Sequence, residues 1–232
     1  MKGIHAIVFD LDGTLVDSAG DIMSALNHAL QAAGRAPITD RAGRAIISLG
    51  LERMVELALD IGGGAPGAAE TTEIKRCAID YYESHLLDCT RSYAGTESML
   101  ANFRSSGIRL GICTNKLLKP ACRVLDSLGL EEYFSVVIGR DSTAHQKPHP
   151  APLLAALKSL QVTADEAVMI GDSRVDVECA RASGVPVVVM RHGYGEVCPE
   201  MLGADCIVDH FSRLPDAISR SFGLVAGSTK AG

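Results

Sequence analysis

The apolar positions of the chain follow two periods. Ile4-His5-Ala6-Ile7-Val8-Phe9 is a short, β-branched run that ends in two acids, Asp10 and Asp12, the pattern of a buried strand whose C-terminal end lies at the edge of a core. After Ser18 the spacing becomes helical: Ile22, Ala25, Leu26, Ala29, Leu30 and Ala33 share a face, Asp17-Ser18 can cap its start, and Gly34 suits the position past its end. Thr39-Asp40 can cap a second helix through Ile46 and Ile47. Gly50 interrupts it, and Leu51, Met54, Val55, Ala58 and Leu59 resume the helical period. A further helix is predicted from about Glu70 to about Cys89, with Ile74, Cys77, Ala78, Tyr81, His85 and Leu86 on one face. No strand is predicted in this stretch.

From about Ser92 helices alternate with short buried strands. The strands are Ile108 to Cys113, Ser135 to Gly139, Ala167 to Asp172, Val185 to Met190 and Cys206 to Val208, with Gly107 and Gly129 as helix stops. Strand after helix after strand implies an α/β fold with a doubly wound parallel sheet and helices on both faces. The helical stretch is then an insertion. The division expected is a core of residues 1–16 and 92–222, a helical cap of 17–91 hinged beside the first strand, and a frayed tail of 223–232. Gly62 to Gly67 is read as a connector, because no Gly-Lys-Ser/Thr follows it and no strand precedes it.

Composition narrows the partners. The 232 residues carry a net charge of -6 with acids and bases interspersed, so no basic stripe suits nucleic acid and no polybasic segment suits a membrane. A small molecule is the default partner, and a monomer or a homodimer fits equally. Seven scattered cysteines form no Cys-x-x-Cys pair, which reads as reduced thiols in a cytoplasmic protein.

The chemistry gathers at the predicted strand ends, where open α/β sheets bind ligands. In extended backbone Asp10 and Asp12 project to one side, and Gly13 lets the chain turn away. The other ends carry Thr114 and Asn115, the loop Lys147-Pro148-His149-Pro150, and Gly171-Asp172-Ser173-Arg174-Val175-Asp176. Asp172 and Asp176 are four apart at the start of a helix, so with Asp10 they offer hard oxygen ligands for Mg²⁺. Lys147 adds a positive charge and Thr114 a hydroxyl, a set able to hold a phosphoryl group in transfer.

In this order and spacing, Asp10-Leu11-Asp12-Gly13-Thr14, Thr114, Lys147 and Gly171-Asp172 through Asp176 resemble the four motifs of the haloacid-dehalogenase superfamily of aspartyl phosphotransferases. The resemblance implies a Rossmann-like sheet in the order 5-4-1-2-3 with an inserted helical cap. It implies that Asp10 is the nucleophile and Asp12 the acid and base, with Thr114, Asn115 and Lys147 on the phosphoryl group. Mg²⁺ would be held by Asp10, the Asp12 carbonyl, Asp172 and Asp176. An Asp at position 12 also argues for phosphate chemistry over dehalogenation. Thr114-Asn115-Lys116, Lys147 to Leu153 and His192 to Gly195 are similar to the phosphoglycolate phosphatase group, although Ser92-Tyr93-Ala94-Gly95 lacks the proline usual there.

The substrate implied is a small phosphorylated metabolite, most simply 2-phosphoglycolate. A sugar-phosphate phosphatase, a β-phosphoglucomutase-like mutase and a non-catalytic binding module remain as alternatives. Arg53 is the candidate for a substrate carboxylate or hydroxyl, against a solvated helix arginine. Lys116 is read as a rim charge, Cys113 as core, and His145, His149 and His192 as loop residues or proton shuttles.

Overall fold

The computed structural model describes residues 3–61, 67–194 and 198–223. The Gly62 to Gly67 connector, save its last residue, Gly195 and nearly all of the expected tail lie outside them. The elements run β1 (Ala6–Phe9), β2 (Val16–Asp17), α1 (Ala19–Ala32), α2 (Asp40–Arg44), α3 (Leu51–Ile61), α4 (Ala68–Ser84), β3 (Arg91–Ser92), α5 (Thr96–Ser105), β4 (Arg109–Cys113), α6 (Leu118–Ser127), β5 (Val136–Ile138), α7 (Ala151–Leu160), β6 (Ala167–Gly171), α8 (Arg174–Ala182), β7 (Val187–Met190), β8 (Cys206–Val208) and α9 (Leu214–Phe222).

Six strands form one parallel sheet in the order β5-β4-β1-β6-β7-β8. Counting these strands alone, the order is 3-2-1-4-5-6. It is the arrangement implied by the resemblance with one more strand, β8, added at the edge. Period-two alternation divides the sheet into two faces. Ile7, Phe9, Ile112, Val168 and Ile170 join the cluster shared with the helices of the insert and with α5, α6 and α9, whereas Ala6, Val8, Cys113 and Met169 face α7 and α8. Phe9 is wholly buried, and its truncation to Ala would cost about 3–5 kcal/mol.

Register fixes where the chemistry comes together. Phe9 is level with Ile112 on one side and Ile170 on the other, so Asp10, Thr114 and Asp172 all leave the same end of adjacent strands.

The insert departs from the sequence reading in three places. Its exit and return are zipped by a short antiparallel ribbon, Val16 opposite Ser92 and Asp17 opposite Arg91, where no strand was expected. The second helix stops at Arg44, and Ile47–Leu49 form a 3-10 turn ending at Gly50, whose φ of 85° is left-handed. Helix α4 stops at Ser84, short of Cys89, because Asp21 takes the Cys89 and Thr90 amides at 2.8–3.1 Å and draws that segment back to α1. Among the described residues no helix is long and apolar enough to cross a membrane.

Candidate active site

Asp10 leaves the central strand at the point where connections pass to either side of the sheet. Leu11 stays in the core, and Gly13, at φ 86°, turns the chain back so that Gly13 N–H meets the Val16 carbonyl at 2.8 Å. A side chain at position 13 would also collide with the Asp172 carboxylate, since an added Cβ would lie 2.5 Å from its Oδ2. The expected turn glycine is thus required twice.

Three acids meet under this turn. Asp10, Asp172 and Asp176 are buried and offer carboxylate oxygens within 4.8 Å of one another. Lys147, from the loop between β5 and α7, lies among them at 2.9 Å from Asp10 Oδ1 and 2.6 Å from Asp176 Oδ1. The contact to Asp176 is a hydrogen bond. That to Asp10 is an ion pair short of an aligned hydrogen bond, so Asp10 Oδ1 has the ammonium beside it and no further donor among the described residues. Asp176 Oδ2 accepts from Ser173 N–H at 3.1 Å and Ser173 Oγ at 2.6 Å, completing the N-cap of α8. Asp172 accepts from Thr14 Oγ1 at 2.8 Å and Tyr194 N–H at 3.0 Å.

Electrostatics follow from this crowding. Burial pushes the Asp10 carboxyl up to about 6, helped by repulsion from Asp176 and Asp12 and opposed by Lys147. Asp172 is raised well above the ordinary carboxylate range by burial, Asp176 and Asp10. Burial works against the Lys147 charge, but Asp10 and Asp176 outweigh it and hold the ammonium well above its usual pKa. Four buried groups therefore carry one fixed positive charge, and a carboxylate set so arranged suits a divalent cation.

Asp12 points elsewhere. Its Oδ1 accepts from Ser18 Oγ at 2.5 Å and from Lys116 Nζ at 2.9 Å, and Lys116 also reaches Oδ2 at 3.2 Å. The carboxylate is therefore outside the cluster formed by Asp10, Asp172 and Asp176. Ser18, expected to cap α1, spends its hydroxyl on Asp12, and Asp17 Oδ1 takes the Ala19 amide instead at 3.3 Å.

Between the sheet end and the insert lies a narrow cleft, floored by Asp10, Asp12, Thr114 and Lys116 and roofed by Ile47, Ser48, Leu51 and Tyr82. Thr114 is buried at the floor. Asn115 does not present its amide to the cleft: Oδ1 accepts from Lys147 N–H at 3.0 Å, and Nδ2 donates to the Lys147 and Ser48 carbonyls at 3.1 and 2.9 Å. It positions the lysine loop and ties it to the insert.

Two charges are not where the sequence suggested. Lys116 is no rim residue; its side chain is 4% exposed, clamped between Asp12 and the Tyr82 hydroxyl. Arg53 is not brought into the cleft. It is exposed and pairs with Glu56 one turn along α3 at 2.5 Å, because the left-handed Gly50 starts the helix with Leu51 and Glu52 inward. Cys113 is core, as expected. His192 Nε2 meets the Thr14 carbonyl at 3.0 Å under Tyr93, and His145 stacks on His149, both exposed. None of the three faces the acids.

Sequence reasoning missed Tyr82, Thr14, Ser18 and Tyr194 as supports. The Tyr194 hydroxyl accepts from Ser18 N–H at 2.7 Å and Ala19 N–H at 3.2 Å and donates to Asp17 Oδ1 at 2.8 Å, so one residue braces Asp172 and the start of the insert. The helical period puts Tyr81 on the inner face of α4, whereas Tyr82 is the buried residue, and nothing local marks the lysine it meets.

The profile of the haloacid dehalogenase-like hydrolase family matches residues 7–190, and the chain belongs to that family. It is 41% identical over 215 residues to a phosphoglycolate phosphatase of Rhodospirillum rubrum, covering 91% of this chain and 89% of that one. A phosphoglycolate phosphatase of Cereibacter sphaeroides is 36% identical over 215 residues, covering 92% and 97%. Among solved structures, one described as a predicted phosphoglycolate phosphatase from Haemophilus somnus superposes with a TM-score of 0.86 at 27% identity, covering 93% of this chain and 98% of that one.

Proposed function

We propose that the protein is a Mg²⁺-dependent phosphatase of small phosphomonoesters, with 2-phosphoglycolate as its substrate and residues 17–91 acting as a cap. The observation that carries the reading is the buried Asp10 carboxylate, 2.9 Å from the Lys147 ammonium, at the floor of the cleft that Asp12 and Thr114 also line. A buried carboxylate beside fixed positive charge at the floor of a cleft suits attack on an electrophile better than structural support. The names of the relatives support the choice of substrate.

In this reading Asp10 attacks phosphorus as a carboxylate and becomes an aspartyl phosphate. The bond from phosphorus to the ester oxygen breaks, the electron pair stays on that oxygen, and Asp12, entering the step as the neutral acid, gives it a proton and is left as the carboxylate that pairs with Lys116. Asp12 then takes a proton from the water that hydrolyses the acyl phosphate and restores Asp10. Lys147 and the Thr114 hydroxyl offset the charge on the phosphoryl oxygens. The three-acid cluster and the orphaned Asp10 oxygen fit a bound Mg²⁺; Asp10, the Asp12 carbonyl, Asp172 and Asp176 would hold it, and it would neutralise charge that otherwise repels an anionic substrate. Seven free thiols support a reducing, cytoplasmic setting.

The test is kcat/KM across 2-phosphoglycolate, glucose 6-phosphate, β-glucose 1-phosphate and an aryl phosphate, with and without Mg²⁺. A clear preference for 2-phosphoglycolate is expected. Preference for the glucose phosphates would move the reading to a sugar-phosphate enzyme, and no hydrolysis of any ester would overturn it.

A further inference from the structure

A buried lysine joins the Asp12 carboxylate to the helical insert. Lys116 Nζ lies 2.9 and 3.2 Å from the two Asp12 oxygens, and it donates to the Tyr82 hydroxyl while standing 4.6 Å from the centre of the Tyr82 ring. Asp12, Lys116 and Tyr82 are 9%, 8% and 5% exposed, so water does not compete for these contacts. Lys116 comes from the loop after β4 of the sheet, whereas Tyr82 is on α4 of the insert. A buried ion pair is weak support for stability, because desolvation consumes much of its attraction. Orientation is the better account of this one.

We propose that Tyr82 is a positioning residue for proton transfer: with the insert seated, its hydroxyl and ring hold the Lys116 ammonium against Asp12 and so aim the Asp12 carboxyl at the ester oxygen. The inference rests on the reading of Asp12 as the acid and base. Ser18 Oγ, 2.5 Å from Asp12 Oδ1, fixes the same carboxylate from the side of the ribbon. When the insert lifts, Lys116 keeps Asp12 but loses Tyr82, and the carboxylate regains rotational freedom. Proton delivery is thereby favoured when the cleft is covered.

The consequence depends on the leaving group. As the Asp10–phosphorus bond forms and the phosphorus–oxygen bond breaks, an alkoxide needs the Asp12 proton, whereas an aryloxide can depart as the anion. Misplacing Asp12 therefore harms alkyl esters more than aryl esters. The insert is also tied to the core by Lys119 Nζ on Glu83 at 2.8 Å, a contact that does not involve Asp12. That pair separates aiming of Asp12 from general seating of the insert.

The experiment measures kcat/KM for p-nitrophenyl phosphate and for the best alkyl phosphate of the wild-type protein in Tyr82→Phe, Lys116→Met, the double variant and Lys119→Ala. The aryl-to-alkyl ratio is expected to rise about tenfold in Tyr82→Phe. Adding Tyr82→Phe to Lys116→Met should change the ratio by less than about twofold, since Tyr82 acts through the lysine. Lys119→Ala should leave the ratio as it is. An unchanged ratio in Tyr82→Phe, an equal rise in Lys119→Ala, or independent effects in the double variant would each overturn the inference. Tyr82→Phe keeps the ring and its packing, so it carries the test even where Lys116→Met fails to fold. A wild-type protein that hydrolyses neither ester overturns the phosphatase reading, and this inference with it; activity on both with a fixed ratio overturns this inference alone.

Discussion

The Lys147 ammonium lies 2.9 Å from Asp10 Oδ1 without forming an aligned hydrogen bond to it, while its bond to Asp176 at 2.6 Å is fully formed. The lysine is thus shared between two acids, bonded to Asp176 and ion-paired with Asp10. Lys147→Met would keep the stem of the side chain and remove the charge. Loss of the sole ammonium among these buried carboxylates is expected to cost about 3–5 kcal/mol, read by urea unfolding, and to abolish hydrolysis. A variant as stable as the wild type would contradict this view of the cluster.

Asp10→Asn is expected to lower kcat by about 10³-fold or more, because an amide cannot form the acyl phosphate. The same change should raise the Tm of the metal-free protein at neutral pH. The amide resembles the protonated carboxyl, and burial favours that form. Unchanged turnover would remove Asp10 from the nucleophile position.

The pH dependence has a defined sign. The Asp10 carboxyl titrates at about 6 in the folded protein against 3.8 as the ordinary value, so between these limits the folded state binds a proton that the unfolded chain has released. The contribution of Asp10 to stability is therefore full below about pH 4 and is lost as pH rises through about 6. Asp172, raised for similar reasons, extends the loss upward. In EDTA, Tm should fall across this window, and less steeply for Asp10→Asn than for the wild type. Saturating Mg²⁺ favours the carboxylates, so the Tm gain from Mg²⁺ should be larger at neutral pH than at about pH 5. An equal gain at both would separate the cluster from the metal.

Much of this site was legible because its residues sit where strands end. Asp10, Thr114 and Asp172 each follow an apolar run whose type and direction the pattern settles, parallel strands in register bring their ends together, and the first turn of α8 adds Asp176. Residues that depend on the insert were harder to read. Lys116 and Arg53 are both charged residues beside predicted elements, and their fates were exchanged: the long Lys116 side chain turns under the insert to Asp12, while one left-handed glycine at position 50 rotates Arg53 outward. The sixth strand was visible as Cys206 to Val208, but its place at the sheet edge follows from pairing with β7, which no local pattern encodes. Arg53→Ala is accordingly expected to alter kcat/KM for 2-phosphoglycolate by less than about twofold, since an exposed i,i+3 ion pair is worth only a few tenths of a kcal/mol. A KM raised tenfold would return Arg53 to the substrate.

Asp21 supplies the last prediction. Its carboxylate is 2% exposed and accepts four contacts from the returning segment: Cys89 N–H at 2.9 and 3.1 Å, Thr90 N–H at 2.8 Å and Thr90 Oγ1 at 2.7 Å. It lies on α1 just after the β2–β3 ribbon, so it closes the base of the insert where both junctions meet. Removing the acceptor strands the buried Thr90 amide and hydroxyl and frees the part-buried Cys89 amide, and charged acceptors of this kind contribute more than neutral ones. Asp21→Ala is therefore expected to lose about 2–4 kcal/mol in urea unfolding. Amide exchange should accelerate first at Cys89 and Thr90, ahead of the sheet. Asp21→Asn should recover only part of the loss, because one carboxylate oxygen becomes an NH₂ that faces donors. Uniform destabilisation across sheet and insert, or full rescue by Asn, would show that Asp21 is not what holds the return segment.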